Sequence, residues 1–131
     1  MAKKQIATFL GTGKHLSIAG SHAFAYSGNV LDGGTSGPNT TMLDFYSPAS
    51  RYIKGKFQWE ANHEGSFVTD ITVELNGQII YDSEFDTNPN RGMWLTPLRV
   101  IIPPNTHVVM KFGASTSLTA AAQFTGRVYD A

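Results

Sequence analysis

The chain has 131 residues, in which ten basic and ten acidic side chains cancel, and it has no cysteine. The balance excludes the basic field that non-specific nucleic-acid binding needs, and the missing thiols exclude disulfides and thiolate-bound metal. Charged residues make up 15% of the chain against a usual proportion of about 25%, and 13 glycines accompany them, so the surface is either neutral and polar or covered by partners.

Met1-Ala-Lys-Lys4 is followed by alternation and not by the continuous apolar segment of a secretory signal. No apolar run is long enough to span a bilayer, so the expected partners include no membrane and the expected place of synthesis is a cytoplasm. Residues 1–5 read as a flexible arm. Gln5 to Leu10 reads as a short strand ended by Gly11-Thr-Gly13, and His15 to Ala19 and His22 to Tyr26 read as two more. Asn29 to Asn39 holds three glycines and a proline and reads as a loop. Met42 to Tyr46 is a strand closed by Ser47-Pro48.

Arg51 to Glu60 alternates cleanly: Ile53, Phe57 and Trp59 share one face, and Lys54, Lys56, Gln58 and Glu60 the other. Phe67 to Leu75 does the same, with Phe67, Ile71, Val73 and Leu75 opposed to Asp70, Thr72 and Glu74. This period of two predicts strands with one apolar and one wet side. Asn76-Gly77 favours positive φ at both central turn positions, which predicts a tight hairpin joining Asp70–Leu75 to Gln78–Glu84. Asp86 to Gly92 reads as a second long loop. Leu98 to Ile102 is a strand that Pro103-Pro104-Asn105 must end, because proline gives no donor to a ladder. His107 to Phe112 places Val108, Met110 and Phe112 inward. Ser115 to Ala121 reads as a loop or short helix, and Gln123 to Tyr129 as a closing strand.

The pattern predicts one all-β domain over residues 1–131, an antiparallel β-sandwich of about eight to ten strands. A jelly roll fits the strand count, with an immunoglobulin-like sandwich as the alternative topology.

Chemistry is sparse. There is no nucleophile elbow, and a cysteine nucleophile is impossible. Gly11-Thr-Gly-Lys14 lacks the spacing of a phosphate loop. His15, His22, His63 and His107 are scattered without a His-x-His pair, and Asp82-Ser-Glu-Phe-Asp86 lacks the glycine and bidentate glutamate of a calcium loop. The expectation is no enzyme, no catalytic residue, no metal and no cofactor. Trp59 falls on the apolar face and is core. Trp94 sits beside a polar, glycine-rich loop with Asn90, Arg91 and Met93, where it caps the sandwich, stacks on sugar or anchors a protein interface.

The C-terminal half resembles a known group. Ile101-Ile-Pro-Pro-Asn-Thr-His-Val-Val-Met-Lys-Phe112, a Ser/Thr/Ala stretch, then Phe124-Thr-Gly-Arg-Val-Tyr129, with the Asn76-Gly77 hairpin before them, is similar to small structural proteins of tailed bacteriophages. The likeness covers roughly residues 67 to 131 and is to capsid decoration (cement) proteins of jelly-roll type. It implies a virion protein on the capsid exterior that binds major capsid protein subunits and associates as a homotrimer; the charge balance leaves no nucleic acid among the expected partners. Chain ends and loops are where a sandwich adapts to a partner, which selects Lys3, Lys4, Asp32, Thr35, Asn39, Asn90, Arg91, Met93 and Trp94 as candidate partner-binding residues. An apolar sheet face outside the core would join the copies, with Ile79, Tyr81, Ile101 and Tyr129 as its expected residues. The alternative function is a carbohydrate-binding jelly-roll module in a host-recognition structure, resting on Asn90, Arg91 and Trp94.

Overall fold

The computed structural model describes residues 15–63, 67–87, 91–94 and 97–130. The expected strand at Gln5 to Leu10, the arm at residues 1–5 and the Gly11-Thr-Gly13 turn lie outside them.

Eleven strands appear in this part of the chain: β1 (Ser17–Ala19), β2 (His22–Tyr26), β3 (Val30–Gly33), β4 (Thr40–Tyr46), β5 (Arg51–His63), β6 (Phe67–Leu75), β7 (Gln78–Thr87), β8 (Arg91–Trp94), β9 (Leu98–Ile102), β10 (His107–Ala114) and β11 (Ser117–Asp130). Every pairing is antiparallel. The larger sheet runs β1-β2-β11-β5-β8, with β3 beside β11 and β9 beside β5; the smaller runs β4-β10-β6-β7. The two form a β-sandwich of jelly-roll type, as the alternation predicts.

Three segments differ from the sequence reading. Val30–Gly33, expected inside a loop, pairs with β11. Arg91–Trp94 pairs with the far end of β5. Ser117 to Ala121 is neither loop nor helix: it begins the 14-residue strand β11. Its alternation of Leu118, Ala120 and Ala122 inward against Ser117, Thr119 and Ala121 is a strand period written in small residues.

The core lies between the sheets. From the larger come Ile53, Phe57, Trp59, Leu118 and Phe124; from the smaller come Leu43, Phe45, Ile71, Val73, Met110 and Phe112. Phe124 is its hub, with ring centroids 4.9 Å from Phe57 and 5.3 Å from Phe45. Its ring lies over Gly55, where an added Cβ would stand 2.5 Å from the ring edge, so the glycine makes room for the aromatic. Burying a Phe or Leu side chain contributes about 1.5–3 kcal/mol, which makes this cluster the main source of stability.

The turns obey the sequence. Asn76 and Gly77 both take positive φ, 51° and 79°, as a two-residue hairpin demands. Asn76 also docks the turn on β10: its Oδ1 accepts from the His107 amide at 2.9 Å, and its amide donates to the His107 carbonyl. Ser47 pins the proline turn, donating from Oγ to the Pro103 carbonyl (2.6 Å) and accepting from the Thr106 amide (2.8 Å).

Candidate binding surfaces

The glycine-rich segment between β3 and β4 is built around one carboxylate. Asp32 is fully buried. Its Oδ2 accepts from the amides of Gly34, Thr35 and Ala114 at 3.0, 3.1 and 3.0 Å. Its Oδ1 accepts from the hydroxyls of Thr35 (2.7 Å) and Thr40 (2.6 Å). Burial pushes the carboxyl pKa up, but the hydrogen bonds from Thr40, Thr35 and Ala114 outweigh it and hold the group down at about 2, against an ordinary 3.8. The backbone closes the same joint: the Ser36 amide donates to the Ala114 carbonyl at 3.0 Å. A Cβ on Gly113 would fall 1.4 Å from the Gly37 carbonyl oxygen.

This corrects one expectation. Asp32 offers no surface to a partner, because its oxygens are consumed in holding the segment to β10. Thr35 and Asn39 are exposed on that segment, so a partner can reach them on a backbone that is already tied down.

Lys3, Lys4 and Asn90 lie outside the described residues. Arg91, Met93 and Trp94 belong to a strand and not to the expected loop: their backbone runs along β5, opposite His63, Ala61 and Glu60 respectively. The sequence hid this because Arg-Gly-Met-Trp is too short to show a period.

The four residues expected to join copies do not share a face. Tyr129 on β11 and Ile101 on β9 lie on the outer face of the larger sheet. Ile79 lies on the outer face of the smaller sheet. Tyr81 points the other way, toward the core against which it packs. The cause is a β-bulge: Tyr81 pairs with Val73 and Ile79 with Glu74, so Ile80 is an extra residue in β7. One inserted residue reverses the inside–outside alternation that follows it. Ile79 and Ile80 are both left exposed.

The outer face of the larger sheet carries a basic band that pairing, not sequence proximity, assembles. Register sets His22, Arg127, Lys54 and Ile101 side by side across β2, β11, β5 and β9. The next row is Phe24, Thr125, Lys56 and Arg99. The side chains frame a shallow concavity of about 600 Å³. Aromatic pairs flank the band: Tyr52 on Tyr129 (centroids 5.3 Å apart, planes at 17°) and Phe24 on Tyr26 (5.4 Å, 28°). Lys54 Nζ sits 5.4 Å from the Tyr129 ring centroid.

The outer face of the smaller sheet is the electrostatic opposite. Asp44, Asp70, Glu74, Asp82 and Glu84 all project there, by their pairing with outward residues of β10, β6 and β7. Lys111, 3.6 Å from Glu74, and His107, whose Nε2 lies 2.6 Å from Asp44 Oδ1, are set among them. Tyr46 stacks on His107 with centroids 4.5 Å apart. Among the described residues no group of three or more His, Asp or Glu could hold a metal ion.

No protein-family model matches the chain, and no curated protein matches it in sequence. Solved structures do match in fold. One is the infectious bursal disease virus VP2 subviral particle, with a TM-score of 0.54 at 10% identity, covering 83% of this chain and 32% of that one. Another is the structure of the Gx strain of the same virus, with a TM-score of 0.53 at 10% identity, covering 81% of this chain and 33% of the other. The likeness is one of fold alone, and this chain spans about a third of the length of the chains it matches.

Proposed function

We propose that the protein is a structural component of a virus particle: a decoration protein that sits on the exterior of an icosahedral phage capsid and binds major capsid protein subunits. The observation that carries this reading is the jelly-roll likeness to a virus particle protein over 83% of the chain. The C-terminal resemblance to phage decoration proteins adds to it, and residues 1–131 then act as one domain with residues 1–5 as an arm. The chemistry agrees: the molecule presents two broad, oppositely charged sheet faces, and surfaces of that kind serve adhesion between proteins.

In physical terms the protein adds buried area across joints between shell subunits. An interface of about 1,000 Å² or more, repeated at symmetry-related positions, raises the force that bursts the shell. Thr35 and Asn39 supply contacts from a pre-ordered segment, so little entropy is lost on docking. Lys3, Lys4, Asn90, Arg91, Met93 and Trp94 complete the proposed contact set, and the protein works as a homotrimer without enzymatic activity or cofactor.

The test is co-sedimentation with undecorated phage heads. Purified protein is expected to pellet with heads at saturating stoichiometry and to raise their resistance to heat or osmotic shock. Failure to co-sediment at any salt concentration, with a positive glycan array instead, would replace this reading by carbohydrate recognition.

A further inference from the structure

The exposed apolar residues expected to join copies are divided between two faces, and those faces carry opposite charge. On the outer face of the larger sheet, among the described residues, Lys54, Lys56, Arg99 and Arg127 outnumber one carboxylate, Glu60. None of the four cations has an ion pair among the described residues, and Arg127 only donates to Ser21 Oγ at 3.2 Å. Ile101, 61% exposed, and Tyr129 stand among them. On the outer face of the smaller sheet, among the described residues, five carboxylates face one lysine and His107, and Ile79, 53% exposed, and Tyr46 stand among those. Asp70 and Asp82 have no ion pair among the described residues. A chain of zero net charge is therefore a plate with a positive side and a negative side.

We propose that copies of this chain associate head to tail, the basic outer face of the larger sheet of one copy against the acidic outer face of the smaller sheet of the next. The face that complements the basic band is present on the molecule itself. A twofold dimer through either face would set like charges against each other, which costs several kcal/mol across an interface, so the favoured contact is heterologous. It also brings the stranded apolar residues together, Ile101 and Tyr129 of one copy meeting Ile79 and Tyr46 of its neighbour. A nucleic-acid strand fits the basic band less well. Stacking platforms present ring faces to bases, whereas here each ring of the Tyr52–Tyr129 and Phe24–Tyr26 pairs has one face covered by its partner. Heterologous contacts close into rings or continue as open rows, depending on the rotation between copies.

The experiment is a charge swap read by sedimentation velocity over a range of protein concentrations at low salt. One variant carries Lys54→Glu and Arg99→Glu; the other carries Asp70→Lys and Asp82→Lys. The unaltered chain is expected to associate, and to lose roughly tenfold or more in affinity between about 50 and 500 mM salt, where the screening length shortens several-fold. Each variant alone is expected to be monomeric with an unchanged β-type circular dichroism spectrum. An equimolar mixture is expected to associate again, because each altered face then meets its complement on the other variant. An unaltered chain that is monomeric at every concentration, a symmetric dimer, or a mixture that stays monomeric would each overturn the proposal. Binding of a single-stranded oligonucleotide by a chain that does not self-associate would overturn it in favour of a polyanion. If either variant fails to fold, the neutral pairs Lys54→Gln with Arg99→Gln and Asp70→Asn with Asp82→Asn replace them, and association must then weaken in each.

Discussion

Asp32 accepts a hydrogen bond from the amide of Ala114, 82 residues further along the chain, at 3.0 Å. Through this bond the end of β3 in one sheet is fixed to the end of β10 in the other. Replacing Asp32 with alanine removes the acceptor of five hydrogen bonds, and leaving a buried donor such as the Ala114 amide unpaired costs about 1–3 kcal/mol. A loss of at least ~3 kcal/mol in urea unfolding is the expected result, and a change within ~1 kcal/mol would show that the joint contributes little.

The same carboxylate sets an acid limit. Its folded pKa, about 2, lies below the ordinary 3.8, so its contribution is complete above about pH 4 and is lost as pH falls toward 2. Linkage puts that contribution on the order of 2 kcal/mol. Unfolding free energy measured from pH 5 to pH 2 should fall by about this amount in the natural chain. In Asp32→Asn the fall should be shallower by the same amount, starting from a lower stability at neutral pH.

Gly113 meets the Gly37 carbonyl so closely that no Cβ fits. Gly113→Ala should therefore unfold at a markedly lower temperature, or fail to fold, with overpacking that must move backbone costing about 1–3 kcal/mol or more. Gly33→Ala is the control: an added Cβ there meets nothing within 4 Å, and its melting temperature should stay within a few degrees of the natural value.

Thr69 is fully buried, and among the described residues its hydroxyl has no hydrogen-bond partner. Valine keeps the β-branched shape and removes the orphaned group. Thr69→Val should raise stability by about 1 kcal/mol, read as a higher melting temperature in calorimetry. A fall would mean that the hydroxyl has a partner in solution.

The hairpin at Asn76-Gly77 needs positive φ and the Asn76 Oδ1 bond to His107. Asn76→Ala loses both and should cost about 1–2 kcal/mol. Asn76→Gly should recover the part due to φ alone, which separates the two contributions in the same denaturation assay.

What the sequence made legible follows from how local each signal is. The faces of β5 and β6, the Asn76-Gly77 turn and the stop at Pro103-Pro104 depend on neighbours within a few residues, and each appears where alternation and turn chemistry put it. Asp32 looked like a loop residue because Gly33 and Gly34 follow it; its burial depends on Thr40 and Ala114, which only the tertiary fold supplies. Ile79 and Tyr81 looked like one face because they are two apart, and a bulge that no single residue announces turned them to opposite sides. The basic band was half visible in Lys54 and Lys56, but Arg99 and Arg127 join it only through the register of β9 and β11. Net charge, being a sum, cancelled the segregation that register creates.

The position of β11 has a consequence for how the protein is made. It is the middle of its sheet, held by β5 on one side and by β2 and β3 on the other. A ribosome delivers it after every strand it must join. Until residue 130 has left the exit tunnel, β2 and β5 remain two separate ribbons with raw edges, and the nascent chain depends on chaperones or on speed to avoid pairing with its neighbours on the polysome.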